Sequence, residues 1–353
     1  MASVSYRDFT TLAPSIQKRL ILLPPSPSSK KKIGRRLVAF AKVNGSSHRK
    51  IAETLRVAYQ GAPGAYSEFA AKTAFPDCTA VPCRGYLDAI MAVETGEADR
   101  AVLPVENTMS GSTVRNYDLL LCHNLRIVQE VSLFVQYCLL AMPGVRKWEL
   151  KRVISHPMAL AQCGRNLAQL GLDREAVDDT AGAVELLSTR RMLDTGAIAS
   201  SRAALLYGLD VLAQGFQDES WNVTRFLILS KHPPIPPELS PIGLKTSMVV
   251  AHHGATLPVV LRILSAFSSR NINLTKLEVA QAVAENRPIM ILDADRRGTL
   301  KTFPSVLYVD FEGSMDDPKV KDALAEVSAL AGFFRSLGSY KADPKIYDLQ
   351  EPV

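Results

Sequence analysis

Four hydroxyl residues stand where a short apolar run gives way to a helical pattern: Ser67, Ser155, Thr180 and Ser200. A helix start presents unpaired N–H groups and the positive end of the helix dipole, which favour a carboxylate. A hydroxyl at the same place can instead be a plain N-cap, bonding its own helix. Four such positions together fit a small anionic ligand without identifying it. The five cysteines (78, 83, 122, 138, 163) show neither metal-site spacing nor a paired framework, which reads as free thiols in a reducing compartment. Six scattered histidines carry no zinc signature; His252-His253 reads as loop.

The elements around these hydroxyls repeat as strand, loop, helix. Arg56–Gln60 reads as a buried strand, Gly61-Ala-Pro-Gly64 as a turn, and Ser67 as the cap of a helix running to about Thr73. Strands follow at Arg100–Val105 and Lys151–Ile154, the first opening into a polar loop over Glu106–Thr113. The stretch Ile127–Leu140 is strand-rich, and Val211–Ala213 and Thr224–Leu229 are short strands. Helices are expected from Pro157 to about Leu170, from Thr180 to about Arg190, and after Ser201. This is an α/β pattern with parallel sheets, whose ligands bind beyond the carboxyl ends of the strands. Five prolines between His232 and Pro241 mark a stiff linker. Beyond it, strands at 245–250, 273–279, 305–311 and 336–340 and helices at 257–270 and 319–331 give a βαββαβ order, suggesting a ferredoxin-like module.

The 353 residues suffice for two domains and a tail, at roughly 100–200 residues per domain. No apolar run of about 18 residues occurs, so no membrane helix is expected. The net charge of +6 is unevenly spread. Residues 1–50 hold eleven Lys/Arg against one acid, Asp8; the rest holds 30 basic and 34 acidic residues. A mildly acidic body argues against nucleic-acid binding. A basic, Ser-rich, acid-poor tail has the composition of an organellar transit peptide, with cleavage expected near residues 40–55.

Several segments together resemble the prephenate/arogenate dehydratase family: Tyr59-Gln-Gly-Ala-Pro-Gly-Ala-Tyr-Ser67, Leu103-Pro-Val-Glu-Asn107, Arg115-Asn-Tyr-Asp-Leu119, Ser155-His-Pro157, Ala161-Gln-Cys163, Asp178-Asp-Thr-Ala-Gly182 and Asn222-Val-Thr-Arg-Phe226. Each is weak alone; the ordered set is specific and covers roughly residues 55–340. The runs Asn116–Asn124 and Glu175–Gly182 resemble the plant arogenate dehydratases most. The resemblance implies a catalytic domain over 55–232, built like a type II periplasmic binding protein from subdomains 55–132 with 213–232 and 133–212. It implies a linker over 233–243, a regulatory ACT domain over 244–340 that binds phenylalanine, and a tail over 341–353. It also places the protein in the chloroplast stroma, with residues 1–50 as a disordered plastid transit peptide.

The implied reaction aromatises a cyclohexadiene by loss of carbon dioxide and water and needs no metal or organic cofactor. Thr224 matches the family's essential threonine, as a hydrogen-bond donor to the departing hydroxyl. Read alone, it is a β-branched strand residue. Asn107 and Gln162 match residues implicated in the site, and Ser155 is a candidate donor to a carboxylate. Arg225 can grip a substrate carboxylate or pair with Glu106 or Asp218. Phe226, Thr180, Ser67 and Glu106 complete the expected substrate contacts. An acid in the cleft would read the ammonium of arogenate; Asp178, Asp179 and Glu106 are candidates among which the sequence does not choose.

The effector site implied by the family falls on Gly254, Ala255, Leu257 and Glu278. Val279 replaces the family's serine and Arg287-Pro288 is displaced, so altered phenylalanine inhibition is expected. Trp221 stands where the family has a small or acidic residue and could narrow the cleft. Competing readings are prephenate dehydratase as the main activity, a non-enzymatic phenylalanine sensor, and a solute-binding protein. A homodimer or homotetramer is expected, because ACT modules usually pair edge to edge.

Overall fold

The computed structural model describes residues 54–233, 243–254, 256–282, 289–293 and 299–343. In chain order the elements begin β1 Arg56–Gln60, α1 Tyr66–Ala74, β2 Thr79–Cys83, α2 Tyr86–Thr95, β3 Arg100–Asn107, β4 Gly111–Ser112, α3 Val114–Cys122 and β5 Arg126–Phe134. They continue with β6 Cys138–Ala141, β7 Arg152–Ser155, α4 Pro157–Gln162, α5 Gly164–Leu170, β8 Asp173–Ala176, α6 Thr180–Arg190, β9 Thr195–Ala199, α7 Ser201–Tyr207, β10 Asp210–Ala213 and β11 Val223–Ser230. The last set is β12 Leu244–His252, α8 Thr256–Ser268, β13 Leu274–Gln281, β14 Ile289–Asp293, β15 Thr299–Phe303, β16 Ser305–Glu312, α9 Pro318–Leu330 and β17 Phe333–Lys341. The Pro-rich linker is largely outside the described residues, as are the N-terminal tail, Ala255, Arg287-Pro288 and most of the C-terminal tail.

Two sheets hold the candidate site residues. The larger runs β13-β16-β12-β17-β5-β11-β3-β1-β2, with β4 against β3; the smaller runs β10-β6-β9-β7-β8. The chain passes from the first to the second between Phe134 and Cys138 and returns between Ala213 and Val223. The strand-rich stretch 127–140 is therefore two strands in different sheets, a change that apolar content alone does not reveal. Strand β9, parallel to β7 and antiparallel to β6, is buried along its whole length, as expected of a central strand covered on both faces.

Register decides the chemistry. Strand β11 lies antiparallel between β5 and β3, which sets Thr224 opposite Asn107 and beside Leu133. The register of β11 on β3 shifts between Arg225 and Phe226, just beside Thr224. Such an irregularity re-aims the side chains next to it.

Residues 244–341 follow the order β12-α8-β13-β16-α9-β17, with a β14–β15 hairpin inserted before β16. One face of this part buries Met248, Val250, Leu307, Val309 and Phe311 under Phe267 of α8 and Leu324 and Val327 of α9. The opposite face, with Val249, Ala251, Val306 and Tyr308, packs into the core that contains Leu120, Leu121 and Leu227. Every residue of β12 is consequently buried. Strand β17 runs against β5, where Gly338 has φ +148° and a Cβ would sit 2.2 Å from the Ile127 carbonyl oxygen. Only glycine permits that approach.

Helix starts differ from the sequence expectation in detail. Ala65, not Ser67, is the N-cap of α1, and Ser67 lies buried within its first turn. Asp179 caps α6, its carboxylate accepting from the Gly182 N–H at 2.7 Å, and Thr180 is the first helical residue. His156 caps α4, leaving Ser155 at the end of β7. Ser200 does cap α7. Helix α2 and the β14–β15 hairpin have no counterpart in the sequence expectation.

Candidate active site

A cavity of about 460 Å³ opens where the carboxyl ends of β1, β3 and β7 face the loop between β8 and α6. Thr224, Asn107, Phe226, Ser67, Thr180 and Glu106 all line it. Beneath its wall lies a closed ring of three amides. Asn107 Nδ2 donates to Asn222 Oδ1 at 2.8 Å, Asn222 Nδ2 to Gln162 Oε1 at 2.7 Å, and Gln162 Nε2 to Asn107 Oδ1 at 3.0 Å. All three side chains are buried. Asn222 comes from the return crossing, Asn107 from β3 and Gln162 from α4, so the ring ties elements of both sheets.

The ring hands one hydrogen onward. Asn107 Nδ2 also donates to Thr224 Oγ1 at 2.9 Å. The sense of this bond is fixed independently: the Met109 backbone N–H points at the other atom of the Asn107 amide, at 3.0 Å, and that atom must be the oxygen. Thr224 Oγ1 therefore accepts, and its own hydrogen remains available to a group in the cavity. Accepting one hydrogen bond polarises a hydroxyl and strengthens the one it donates.

Other polar groups converge on the space. Ser67, Thr180 and Tyr86 line it, and their hydroxyls make no hydrogen bond among the described residues. Burial, with a contribution from Asp179, pushes the Tyr86 phenol up to about 12, so it stays a protonated donor. His156 also lines the cavity and accepts from the Met158 N–H through Nδ1 at 3.2 Å. Burial lowers its pKa against the opposing charges of Asp179 and Asp178. That favours a neutral imidazole carrying its hydrogen on Nε2. Among the described residues no group of three His, Cys, Asp or Glu is arranged to hold a metal ion.

A family model for prephenate dehydratase matches residues 57–234, the stretch that contains this cavity and its amide ring. The chain belongs to the prephenate dehydratase family. Arogenate dehydratase 1 of Petunia hybrida is 56% identical over 82% of this chain and 68% of that one. A protein of Arabidopsis thaliana named arogenate dehydratase/prephenate dehydratase 6, chloroplastic, is 55% identical over 82% of this chain and 69% of its own length. A crystal structure of prephenate dehydratase from Arthrobacter aurescens in complex with L-Phe superposes with a TM-score of 0.70 at 28% identity, covering 85% of this chain and 92% of that one.

In this member of the prephenate dehydratase family, three expected contacts lie elsewhere. Ser155 is fully buried and donates to the Ile198 carbonyl at 2.6 Å, joining β7 to the loop end of β9. It does not reach the cavity. Gln162 acts through Asn107 and does not line the space. Arg225 is buried and already neutralised: Glu130 lies 2.8 Å from Nε, Glu106 3.1 Å from Nη1 and Asp310 2.8 Å from Nη2. It pairs with Glu106 and not with Asp218, which instead accepts from the backbone N–H groups of Arg165 and Asn166. The arginine that does line the cavity is Arg84, which the sequence reading passed over. Asn222 was passed over too, although it opens the motif that carries Thr224, whereas Arg84 lies in none of the quoted motifs. Trp221 is 54% exposed and absent from the cavity wall; only its carbonyl is used, accepting from Thr108 Oγ1 at 2.9 Å.

The effector-site expectations also meet a different setting. Glu278 accepts from Ser112 Oγ at 2.7 Å and lies 3.5 Å from Lys276 Nζ. Lys276 in turn pairs with Glu106. Leu257 is exposed on α8 and Gly254 lies in the loop before it.

Proposed function

We propose that this chain is an arogenate dehydratase, converting L-arogenate to L-phenylalanine with loss of carbon dioxide and water, and acting to some extent on prephenate to give phenylpyruvate. The observation that carries the reading is the Asn107-to-Thr224 hydrogen bond, which leaves the threonine hydrogen free at the cavity. In the reaction the C1–carboxylate bond breaks and its electrons pass through the ring diene. They expel the C4 hydroxyl, which takes a proton from solvent and leaves as water, and the ring becomes aromatic.

Threonine is too weak an acid to supply that proton in bulk. Its role is a positioned hydrogen bond to the departing oxygen, stronger in the transition state, where charge builds on that oxygen, than in the ground state. Asn107, Asn222 and Gln162 hold it in place. Ser67, Thr180 and Tyr86 supply neutral donors to the ring carboxylate. Phe226 packs beside the ring.

The two sheets joined by two crossings fit a type II periplasmic-binding-protein-like catalytic domain over residues 55–232. The order and pairing of residues 244–341 fit a ferredoxin-like ACT domain. The relative solved with L-Phe supports phenylalanine as an effector. Engagement of Glu278 by Ser112 and Lys276 supports altered inhibition. Chloroplast import is supported by the basic tail and by relatives named chloroplastic. Strand β13, the last strand of its sheet, is the edge by which a second copy would pair. Purified protein supplied separately with arogenate and prephenate tests the activity. Phenylalanine should form from the first faster than phenylpyruvate from the second; turnover of neither would refute the reading.

A further inference from the structure

Three acids near the cavity have different circumstances. Glu106 is held by Arg225 and Lys276, and burial that would raise its pKa is outweighed by those two cations. Its charge is already answered. Asp179 is committed to the N-terminus of α6 through the Gly182 N–H. Asp178 makes no hydrogen bond or ion pair among the described residues. It is exposed and lines the cavity from the loop between β8 and α6.

One cation has the same standing. Arg84, in the turn between β2 and α2, lines the cavity and has no acidic partner within 4.0 Å among the described residues. Arg84, Asp178 and Asp179 also line a second concavity of about 290 Å³, together with Gly61, Ala62 and Cys83. The two concavities thus share Arg84, Asp178 and Asp179 in their walls, whereas Asn107 and Thr224 line the first and not the second. A free guanidinium and a free carboxylate at one mouth complement a zwitterion: an α-carboxylate for the arginine fork and an α-ammonium for the aspartate. A cyclohexadienol bearing an alanyl side chain places its hydroxyl and its zwitterion at opposite ends of the ring, matching Thr224 within and these residues at the mouth.

We propose that Arg84 and Asp178 form the subsite for the amino-acid end of the substrate, and that Asp178 sets the preference for the amino over the keto side chain. The proposal rests on the dehydratase reading above and deepens it. Both substrates carry the side-chain carboxylate, so Arg84 serves both. Only arogenate carries the ammonium, so Asp178 serves one.

The test compares kcat/KM for arogenate and for prephenate in the full chain and in Asp178→Asn, Asp178→Glu and Arg84→Gln. A hydrogen bond between charged groups corresponds to about 10- to 100-fold in affinity. Asp178→Asn should lower kcat/KM for arogenate by about that factor and for prephenate by less than about fivefold, with Asp178→Glu recovering part of the loss. Arg84→Gln should lower both alike. Prephenate turnover also reports whether the Asp178 variants are folded, and thermal unfolding reports it for Arg84→Gln. Equal losses on both substrates in Asp178→Asn, or no loss on arogenate, would overturn the subsite while leaving the dehydratase reading intact. Absence of turnover in the unsubstituted chain would overturn both.

Discussion

Asn107 reaches across 117 residues of chain to donate a 2.9 Å hydrogen bond to Thr224, and the same amide is held in a ring by Asn222 and Gln162. Orientation of the threonine hydroxyl is thus set by a buried, fully engaged polar network. Buried networks of this kind are rigid when complete and costly when one member is lost.

Asn222→Ala should therefore act through Thr224 without touching substrate. It leaves Gln162 and Asn107 each short of one partner. We expect kcat to fall about 100-fold, in the range seen when one positioned donor is removed, with a smaller change in KM. Steady-state kinetics on arogenate check this. A variant with unchanged kcat would mean the ring does not orient the threonine.

Arg225→Met leaves Glu130 and Asp310 buried beside an apolar chain. Breaking a buried ion pair by removing one partner costs roughly 3–5 kcal/mol. Lys245, 2.9 Å from Glu130, offsets part of this. Urea denaturation should show a lowered midpoint, whereas an arginine that served only to bind substrate would leave stability alone.

Acid should loosen the contact between Glu106 and its two cations. The folded-state pKa of Glu106 lies below its ordinary value. The unfolded chain therefore takes up the proton first, and stability falls as pH drops from about 5. The contribution is complete above the ordinary carboxylate range and disappears as pH falls through the folded value. Urea midpoints measured between about pH 7 and 3 should decline, and Glu106→Gln should be less stable at pH 7 with a shallower decline.

Trp221→Ala is expected to change arogenate kinetics by less than about threefold. The residue is about half exposed and absent from the cavity wall, and its carbonyl contact to Thr108 survives the substitution. A large gain or loss in prephenate turnover would restore the idea that it shapes the cleft.

Much of this site was legible because the motifs end strands. Asn107, Thr224 and Ser67 sit at strand ends or in a helix's first turn, where α/β proteins gather ligands, and all three line the cavity. Ser155 occupies an equivalent sequence position, yet its hydroxyl bonds a neighbouring strand. The difference between the two is a matter of which face a residue presents after the strand ends, and no local pattern encodes it. Arg225 shows the same limit. Its partners Glu130 and Asp310 lie on β5 and β16, and only the assembled ten-stranded sheet brings them together. Asn222 was hidden by its neighbours, since an Asn before a strand reads as a turn residue. The β14–β15 hairpin was missed because its two runs, either side of residues 294–298, are short and not strictly alternating.

The direct test of the central claim is arogenate turnover by Thr224→Ala and Thr224→Ser, with folding checked by thermal unfolding. Serine keeps the hydroxyl that accepts from Asn107, and alanine removes it. The alanine variant is expected to fold but to lose at least about 100-fold in kcat, while the serine variant keeps a substantial fraction. Alanine and serine variants of equal activity would contradict a hydroxyl role for Thr224.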